Sequence, residues 1–343
     1  VRGRTLNMDA PSLGEVYKTT KIVMKIAIVN YPDALQSAVY GLQEMLLMAN
    51  AIAIEQGQSV QFQANIIDFT APTSSHNEAI PPAIDALQGK GLRYEALILP
   101  PSMPSDFYLQ PAPDLLNWLK KCHREGSILC SACAGAFIIA STGLLTQREA
   151  TTHWGLANDF SDLHPEIRLN LKEIVNNDGD IITAGGMMSW LDLGLELVAQ
   201  FMSTAIMRQL GKILVIDTGQ REQRFYQQFS PRLNHGDDLI LNVQQTLQRD
   251  YPSTLRIAEL ASTSYLTERT FLRRFSKATG LKPSEYLQRL RIQKACDLLE
   301  STPKTFELIA HEVGYDDVSA CRKVFTRIIG LSPRAFKQRF VRR

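Results

Sequence analysis

The sequence predicts two units: an α/β unit with a doubly wound parallel sheet, followed by an all-α unit with two helix-turn-helix motifs. Three observations lead to this prediction. Short apolar runs alternate with amphipathic segments from Met24 to about residue 210, as in a parallel sheet with crossover helices. A pattern near the C-terminus recurs after fifty positions. The charge is also divided, because residues 236–343 hold 19 Lys and Arg against 12 Asp and Glu, whereas residues 1–235 hold 18 against 23.

The α/β unit contains apolar strands bounded by turn residues. The segment Ala96–Pro100 is apolar throughout, which is typical of a strand buried on both faces of a parallel sheet. Asp114 precedes an amphipathic run and is expected to cap the helix there. In chain order, the predicted strands are Lys25–Asn30, Val60–Asp68, Ala96–Pro100, Ser127–Cys130 and Ile181–Gly186, and the predicted helices include Ala38–Glu55, Asp114–Arg124 and Trp190–Leu210.

The helical unit is a tandem repeat. A short apolar helix, a turn and a basic helix occur twice, and the short helices are Ile257–Ser262 and Phe306–Glu312. Thr267 and Asp317 are expected to cap the basic helices, because their side chains can accept from free N–H groups of the first turn. A long amphipathic helix, about 284–300, joins the two copies of the repeat. The matched pairs are Phe275 and Phe325, Gly280 and Gly330, Leu281 and Leu331, Pro283 and Pro333, and Arg289 and Arg339.

Each basic helix has an apolar face and a polar face. Phe271 and Phe275 lie four apart and face a core, whereas Arg269 and Arg273 share another face. A helix of this kind fits the DNA major groove, where arginine reads guanine edges. A single such helix is more often a solvated basic face. Two copies with matched caps, in a segment of net charge +7, favour binding to a polyanion.

Residues 255–340 resemble the DNA-binding domain of the AraC/XylS family of bacterial transcription regulators. The resemblance rests on Ile-Ala-Glu-Leu-Ala at 257–261, Thr-Gly-Leu-Lys-Pro at 279–283, Ile-Ala-His-Glu-Val-Gly-Tyr at 309–315 and Gly-Leu-Ser-Pro-Arg-Ala-Phe at 330–336. It implies that both basic helices enter successive major grooves of double-stranded DNA. The residues that it places at the bases are Arg269, Leu272 and Arg273 in the first helix, and Val318, Ser319, Arg322 and Lys323 in the second.

One stretch of the α/β unit has the pattern of a reactive site. Cys133 lies among small residues at a predicted strand-to-helix turn, which is the arrangement of a nucleophile elbow. A helix N-terminus there would lower the pKa of the thiol, and His153 could pair with it. The alternative is a small residue packed under a helix, beside an ordinary polar histidine. Composition alone does not decide between the two interpretations.

Residues 25–205 resemble the PfpI-type domain, a flavodoxin-like fold related to class I glutamine amidotransferases. The resemblance places Cys133 and His153 at that family's cysteine and histidine, but Ala38 stands where the family has an acidic residue, which disfavours catalysis. A PfpI-like domain before an AraC-type module is similar to the GlxA-like regulators, whose former hydrolase pocket senses a small, often nitrogenous metabolite. The expected ligand-binding residues are therefore Cys133, His153 and Trp154, without a catalytic residue, cofactor or metal.

The predicted division is a tail at 1–23, a sensor and dimerisation domain at 24–210, a linker at 211–235 and a DNA-binding domain at 236–343. The five cysteines lack paired spacing and suggest free thiols in a reducing cytoplasm. No apolar run approaches the roughly 18 residues that a membrane span needs. We expect a bacterial cytoplasmic homodimer, nucleoid-associated when bound, with DNA, RNA polymerase and a small-molecule effector as partners.

Three functions stay open at the level of the sequence. The first is a transcription regulator, expected to be an activator, under the control of a small metabolite. The second is a cysteine hydrolase or amidase that the helical unit only localises, and Ala38 argues against it. The third is a redox sensor in which oxidation of Cys133 or Cys130 changes DNA binding.

Overall fold

The first unit is built on a six-stranded sheet. A computed structural model describes residues 21–69, 93–219 and 221–341. The strands are β1 (Ile22–Asn30), β2 (Val60–Asp68), β3 (Ala96–Leu99), β4 (Ile128–Ala132), β7 (Val175–Asn177) and β8 (Ile181–Ala184), with a separate parallel pair of β5 (Glu149–Ala150) and β6 (Arg168–Leu169). The main sheet has the order β2-β1-β3-β4-β8-β7, and only β7 runs antiparallel to its neighbour. The predicted α/β class is confirmed.

Helices cover this sheet in two packed groups. They are α1 (Gln36–Glu55), α2 (Pro113–Arg124), α3 (Gly135–Ser141), α4 (Ala157–Leu163), α5 (Trp190–Phe201) and α6 (Thr204–Leu214). Helix α1 packs on β2, α5 and α6, whereas α2 packs on α3 and β4. All four residues of β3 and all four of β8 are buried, as expected for central strands of a parallel sheet.

Among the described residues, α1 is the one helix long and apolar enough to meet the criteria for a membrane span, with a mean hydropathy of 1.3. Eight of its residues are nevertheless buried, and they belong to the same core as β1 and β3. The core helix of a globular domain meets the same criteria, so this finding alone indicates nothing about a membrane.

Several predicted elements differ in detail from the structure. Asp114 does not cap α2: the cap is Ala112, because Pro113 takes the first helical position and moves Asp114 into the first turn. The predicted helix Trp190–Leu210 is two helices, since Ser203 accepts from Ile206 N–H and starts α6 anew. Helix α6 continues to Leu214, into the segment predicted as linker. Strand β1 begins three residues early, at Ile22, and β8 ends at Ala184.

The second unit consists of seven helices within the described residues. They are α7 (Asp238–Asp250), α8 (Ile257–Thr263), α9 (Glu268–Thr279), α10 (Pro283–Ser301), α11 (Phe306–Glu312), α12 (Val318–Ile329) and α13 (Pro333–Phe340). Helices α8 and α9 form the first helix-turn-helix, and α11 and α12 form the second. The long helix α10 joins them, because its Tyr286 lies in the core of the first and its Cys296 in the core of the second.

The predicted caps of the two basic helices are confirmed. Thr267 Oγ1 accepts from the N–H of Thr270 at 3.3 Å, and Asp317 Oδ1 accepts from the N–H of Ser319 at 2.7 Å. Both helices end at a glycine in the left-handed region, Gly280 with a φ of 73° and Gly330 with a φ of 83°. The two repeats therefore start and stop their basic helices by the same local chemistry.

Candidate DNA-binding face and elbow site

The first predicted reading face lies on α9 and is open to solvent. Arg269, Leu272 and Arg273 are all exposed. Within the described part of the chain, neither arginine makes an ion pair or a side-chain hydrogen bond. The neighbouring Arg274 has a different role, because its guanidinium pairs with Asp237 through bonds of 2.7 and 2.9 Å and ties α9 to the start of α7.

The second predicted reading face lies on α12 and is less uniform. Ser319 and Lys323 are exposed, whereas Val318 is half-buried and packs against the core of the second unit. Arg322 is already in contact with two side chains of the chain itself: its Nη2 lies 3.1 Å from Glu307 Oε1, and its guanidinium lies 5.6 Å from the centre of the Phe306 ring. Glu307 is fifteen positions from Arg322 in the chain, and no sequence pattern singles it out.

Cys133 has the backbone geometry of a nucleophile elbow. It joins β4 to α3 with a φ of 53°, a left-handed conformation that a non-glycine residue rarely adopts. The turn is tight, because a Cβ on Gly135 would lie 2.5 Å from the carbonyl oxygen of Leu99. Small residues around the cysteine are therefore a steric requirement.

The chemistry of this elbow differs from the expectation of an activated thiol. Cys133 is 3% exposed, and burial raises the pKa of its thiol to about 11, with only a small opposing effect from the N–H of Ala134. The thiol pKa is thus raised where the sequence led us to expect a lowered one, because desolvation outweighs the hydrogen bond from the N–H of Ala134. The thiol is protonated near neutral pH.

His153 and Trp154 lie on the loop beside the elbow. The imidazole of His153 is hydrogen-bonded to a nearby backbone group, since its Nδ1 accepts from Gly155 N–H at 2.9 Å. Burial lowers the pKa of His153. The rings of His153 and Trp154 are 5.0 Å apart. The contact between loop and elbow runs through Thr152, whose hydroxyl donates to the carbonyl oxygen of Cys133 at 2.8 Å.

The remaining side chains of interest around the elbow include one position singled out from the sequence, Ala38, and two tyrosines that were not predicted. Ala38, at the position of the missing acid, is fully buried, and Glu44 lies exposed on the same helix. Tyr31 and Tyr108 are buried near Cys133, and burial is the main cause that raises the pKa of both phenols. The Cys133 thiol adds to the rise at Tyr31, and Asp159 followed by Cys133 adds to it at Tyr108. Among the residues that the structure describes, no group of three or more His, Cys, Asp or Glu could hold a metal ion.

Gln223 was also missed, although it is only 3% exposed. It belongs to the segment that follows α6, and its side chain reaches back into the α/β unit. There Oε1 accepts from Trp154 N–H at 2.8 Å, and Nε2 donates to Thr151 Oγ1 at 3.2 Å. A glutamine in a polar run has no periodicity that would reveal such a contact.

Comparisons with known proteins agree with this two-part architecture. Residues 260–339 match a family model described as a helix-turn-helix domain, and residues 73–200 match the DJ-1/PfpI family. The HTH-type transcriptional regulator CdhR of Pseudomonas aeruginosa is 28% identical over 224 residues, which cover 64% of this chain and 66% of that protein, just under two thirds. ArgR of the same organism is 25% identical and covers 65% of this chain and 68% of its own length. GlxA of Rhizobium meliloti is 23% identical, with shares of 64% and 68%.

Three solved structures are each similar to part of this chain. A putative transcriptional regulator from Vibrio parahaemolyticus covers 56% of this chain and 98% of its own, with 21% identity and a TM-score of 0.45. Drosophila melanogaster DJ-1beta covers 57% of this chain and 100% of its own, with 13% identity and a TM-score of 0.43. The DNA-binding domain of AdpA, solved with a target DNA, covers 30% of this chain and 94% of its own, with 29% identity and a TM-score of 0.30.

Proposed function

We propose that this chain, which combines a DJ-1/PfpI domain with an AraC-type helix-turn-helix domain, regulates transcription by binding specific DNA sites. The observation that carries the proposal is the pair of capped basic helices, α9 and α12, fixed on the two halves of α10. Arg269 and Arg273 support it further, because their exposed guanidinium groups have no carboxylate partner within the described ranges and are available for guanine edges and phosphates.

The test is DNA binding by variants of the predicted reading face. The unchanged protein first selects a site from a random-sequence pool, and Arg269→Ala with Arg273→Ala is then assayed on that site. Each lost bidentate contact costs about 1–3 kcal/mol, so the double variant is expected to bind about a hundredfold more weakly. Arg168→Ala with Arg208→Ala, at two exposed arginines on β6 and α6, is the charge-matched control. Unchanged affinity of the double variant would show that the reading face lies elsewhere.

We propose that the effector controlling this regulator is a small metabolite of a class that is often nitrogenous. It would bind beside Cys133, His153 and Trp154. Support for binding over catalysis comes from the buried, protonated thiol and from Ala38 at the acid position. Such a ligand would act by differential affinity for two arrangements of the protein. A thermal-shift screen of the full chain with amino acids, amines and betaines tests this. A stabilising compound whose effect is lost in His153→Ala supports it, and an effect that persists in that variant contradicts it.

Dimerisation is proposed to use the outer face of α1. Tyr40, Leu47 and Ile54 are more than half exposed and recur every seven residues, so they form one stripe. The spacing is symmetric about Leu47, which suits a two-fold antiparallel contact with a second copy. Leu47→Glu is expected to give a monomer in sedimentation, whereas Ser37→Glu, at an exposed position on the same helix, is the control. A dimer in both variants would show that the contact lies elsewhere.

The proposal also includes a cytoplasmic location, activation of transcription and contact with RNA polymerase.

A further inference from the structure

The segment 221–232, called the strap here, contacts both units of the chain. Gln223 anchors it in the α/β unit, as described above. The next residues pack on the second helix-turn-helix: Arg224 Nη1 donates to the carbonyl oxygen of Arg327 at 3.3 Å, at the C-terminal end of α12. The guanidinium of Arg339 lies 5.4 Å from the centre of the Phe225 ring and 5.6 Å from that of Tyr226, and it donates to the Tyr226 hydroxyl at 3.0 Å.

The strap contacts the second helix-turn-helix at Gly330 and Arg339, and the fifty-residue repeat gives this contact position an equivalent in the first helix-turn-helix. Gly330 and Arg339 correspond to Gly280 and Arg289. At Gly330 the strap is in close contact, since a Cβ there would lie 2.8 Å from Phe225 Cε1. At Gly280 a Cβ would meet nothing within 4 Å. Arg289 pairs with Glu285 at 2.9 Å, and no aromatic ring among the described residues lies over its guanidinium. One position is therefore filled and its equivalent is open.

A cavity of about 260 Å³ occupies the open position. Trp154 of the α/β unit, the strap and both helix-turn-helix units form its wall. Its lining includes the side chains of Arg224, Arg232 and Arg289 and no acidic side chain. Each arginine is paired with one carboxylate outside the lining, namely Glu222 for Arg224, Asp162 for Arg232 and Glu285 for Arg289. Each uses only part of its guanidinium in this pair, so N–H groups remain on all three. The cavity holds the volume of roughly nine waters at about 30 Å³ each, which suits a single-ring organic acid.

We propose that this cavity binds a small aromatic carboxylate. Its ring lies against the Arg289 guanidinium, as the rings of Phe225 and Tyr226 lie against Arg339, and its carboxylate accepts from the unused N–H groups of Arg224 and Arg232. This site goes beyond the proposed function, because it is separate from Cys133 and combines both units with the strap. It leaves the reading residues free, since these occupy the first halves of α9 and α12, whereas the cavity meets the other ends, at Thr279 and Ile329.

Calorimetric titration of the full chain with phenylacetate tests this site. Phenylacetamide, which lacks the charge, and cyclohexylacetate, which lacks the aromatic ring, are matched ligands, and each is expected to bind at least tenfold more weakly. Arg289→Gln removes the guanidinium, and Arg289→Lys keeps the charge without the planar surface. Both variants are expected to weaken phenylacetate binding at least tenfold. Arg168→Gln, at an exposed arginine of β6, is expected to leave it unchanged.

Three outcomes overturn the proposal: no saturable binding of phenylacetate, equal binding by Arg289→Gln and the unchanged protein, or loss of binding in His153→Ala with retention in Arg289→Gln. The last outcome would place the ligand at the elbow loop. DNA binding to the selected site is measured on the same samples without ligand. A failure of the proposed regulatory function appears in that assay alone, so it is distinct from a failure of the ligand site.

Discussion

The two helix-turn-helix units share a backbone path but use equivalent positions differently. Helices α8 and α11 end in the same way, because Leu266 N–H donates to the Ala261 carbonyl, as Tyr315 N–H does to that of Ala310. The residue between helix and turn is left-handed in both units. It is Tyr265, with a φ of 56°, in the first unit and Gly314, with a φ of 89°, in the second. A repeat therefore conserves backbone geometry more strictly than residue type, and the surroundings decide which residue is tolerated.

The surroundings of these two positions explain the difference. A Cβ on Gly314 would collide with the carbonyl oxygen of Pro252, in a loop that Arg291 also holds through bonds of 2.7 Å to Tyr251 and 2.9 Å to Ser253. The side chain of Tyr265 meets no such obstacle and is 96% exposed. The same division recurs at the ends of α9 and α12, where Gly330 is covered by the strap and Gly280 is open.

The largest expected effect is that of Gly314→Ala. It places a Cβ against backbone and in a left-handed conformation that costs about 1–2 kcal/mol by itself. With the collision added, the free energy of unfolding is expected to fall by about 3 kcal/mol. Gly280→Ala, with a similar φ but open space, is the matched variant and is expected to lose only about 1 kcal/mol. Urea unfolding followed by circular dichroism measures both. Equal losses would show that the Pro252 contact has no energetic weight.

The second expected effect is a gain in stability, and it concerns the first helix-turn-helix. Tyr265→Gly relieves a left-handed cost of about 1–2 kcal/mol, and the greater freedom of glycine in the unfolded chain returns about 0.5–1 kcal/mol of it. Because the exposed ring buries little surface, the net result is a gain of about 0.5–1 kcal/mol in the free energy of unfolding. Tyr265→Ala keeps the left-handed strain and is expected to show no gain. A loss of stability in Tyr265→Gly would indicate that the ring packs in solution.

The comparison also separates what local sequence determines from what tertiary contacts determine. The caps Thr267 and Asp317 and the elbow at Cys133 follow from side chains and backbone within a few residues, and all three were predicted. The helix ends at Gly280 and Gly330 depend on equally local chemistry, but only the match of these glycines in the repeat was predicted. The two errors in the predicted helices also have local causes. Pro113 displaced the predicted cap of α2, and Ser203 began a new helix where one continuous helix was predicted.

The unpredicted parts of the candidate sites depend on distant residues. Glu307 meets Arg322 from another helix, and Gln223 meets Trp154 across 69 positions. The raised thiol pKa of Cys133 depends on burial in the α/β core, which outweighs the hydrogen bond from the neighbouring Ala134 N–H. Sequence patterns thus placed the reactive-looking residues, whereas their charge state and partners required the fold.

The smallest expected effect concerns the unequal reading faces. Arg269 and Arg273 on α9 have no carboxylate partner among the described residues, whereas Arg322 on α12 is paired with Glu307. This pair is largely exposed and is worth only about 0.2–1 kcal/mol. Glu307→Gln releases the guanidinium and removes a negative charge near the predicted DNA face. We expect affinity for the selected site to rise about two- to fivefold, with a steeper dependence on salt as Arg322 gains a phosphate or base contact. Glu312→Gln, whose partner Lys304 lies outside the predicted reading residues, is the matched control. If both variants raise the affinity equally, the increase comes only from the removal of a negative charge. Arg322 is then no more restrained by its partner than Arg269 and Arg273 are in the first helix-turn-helix.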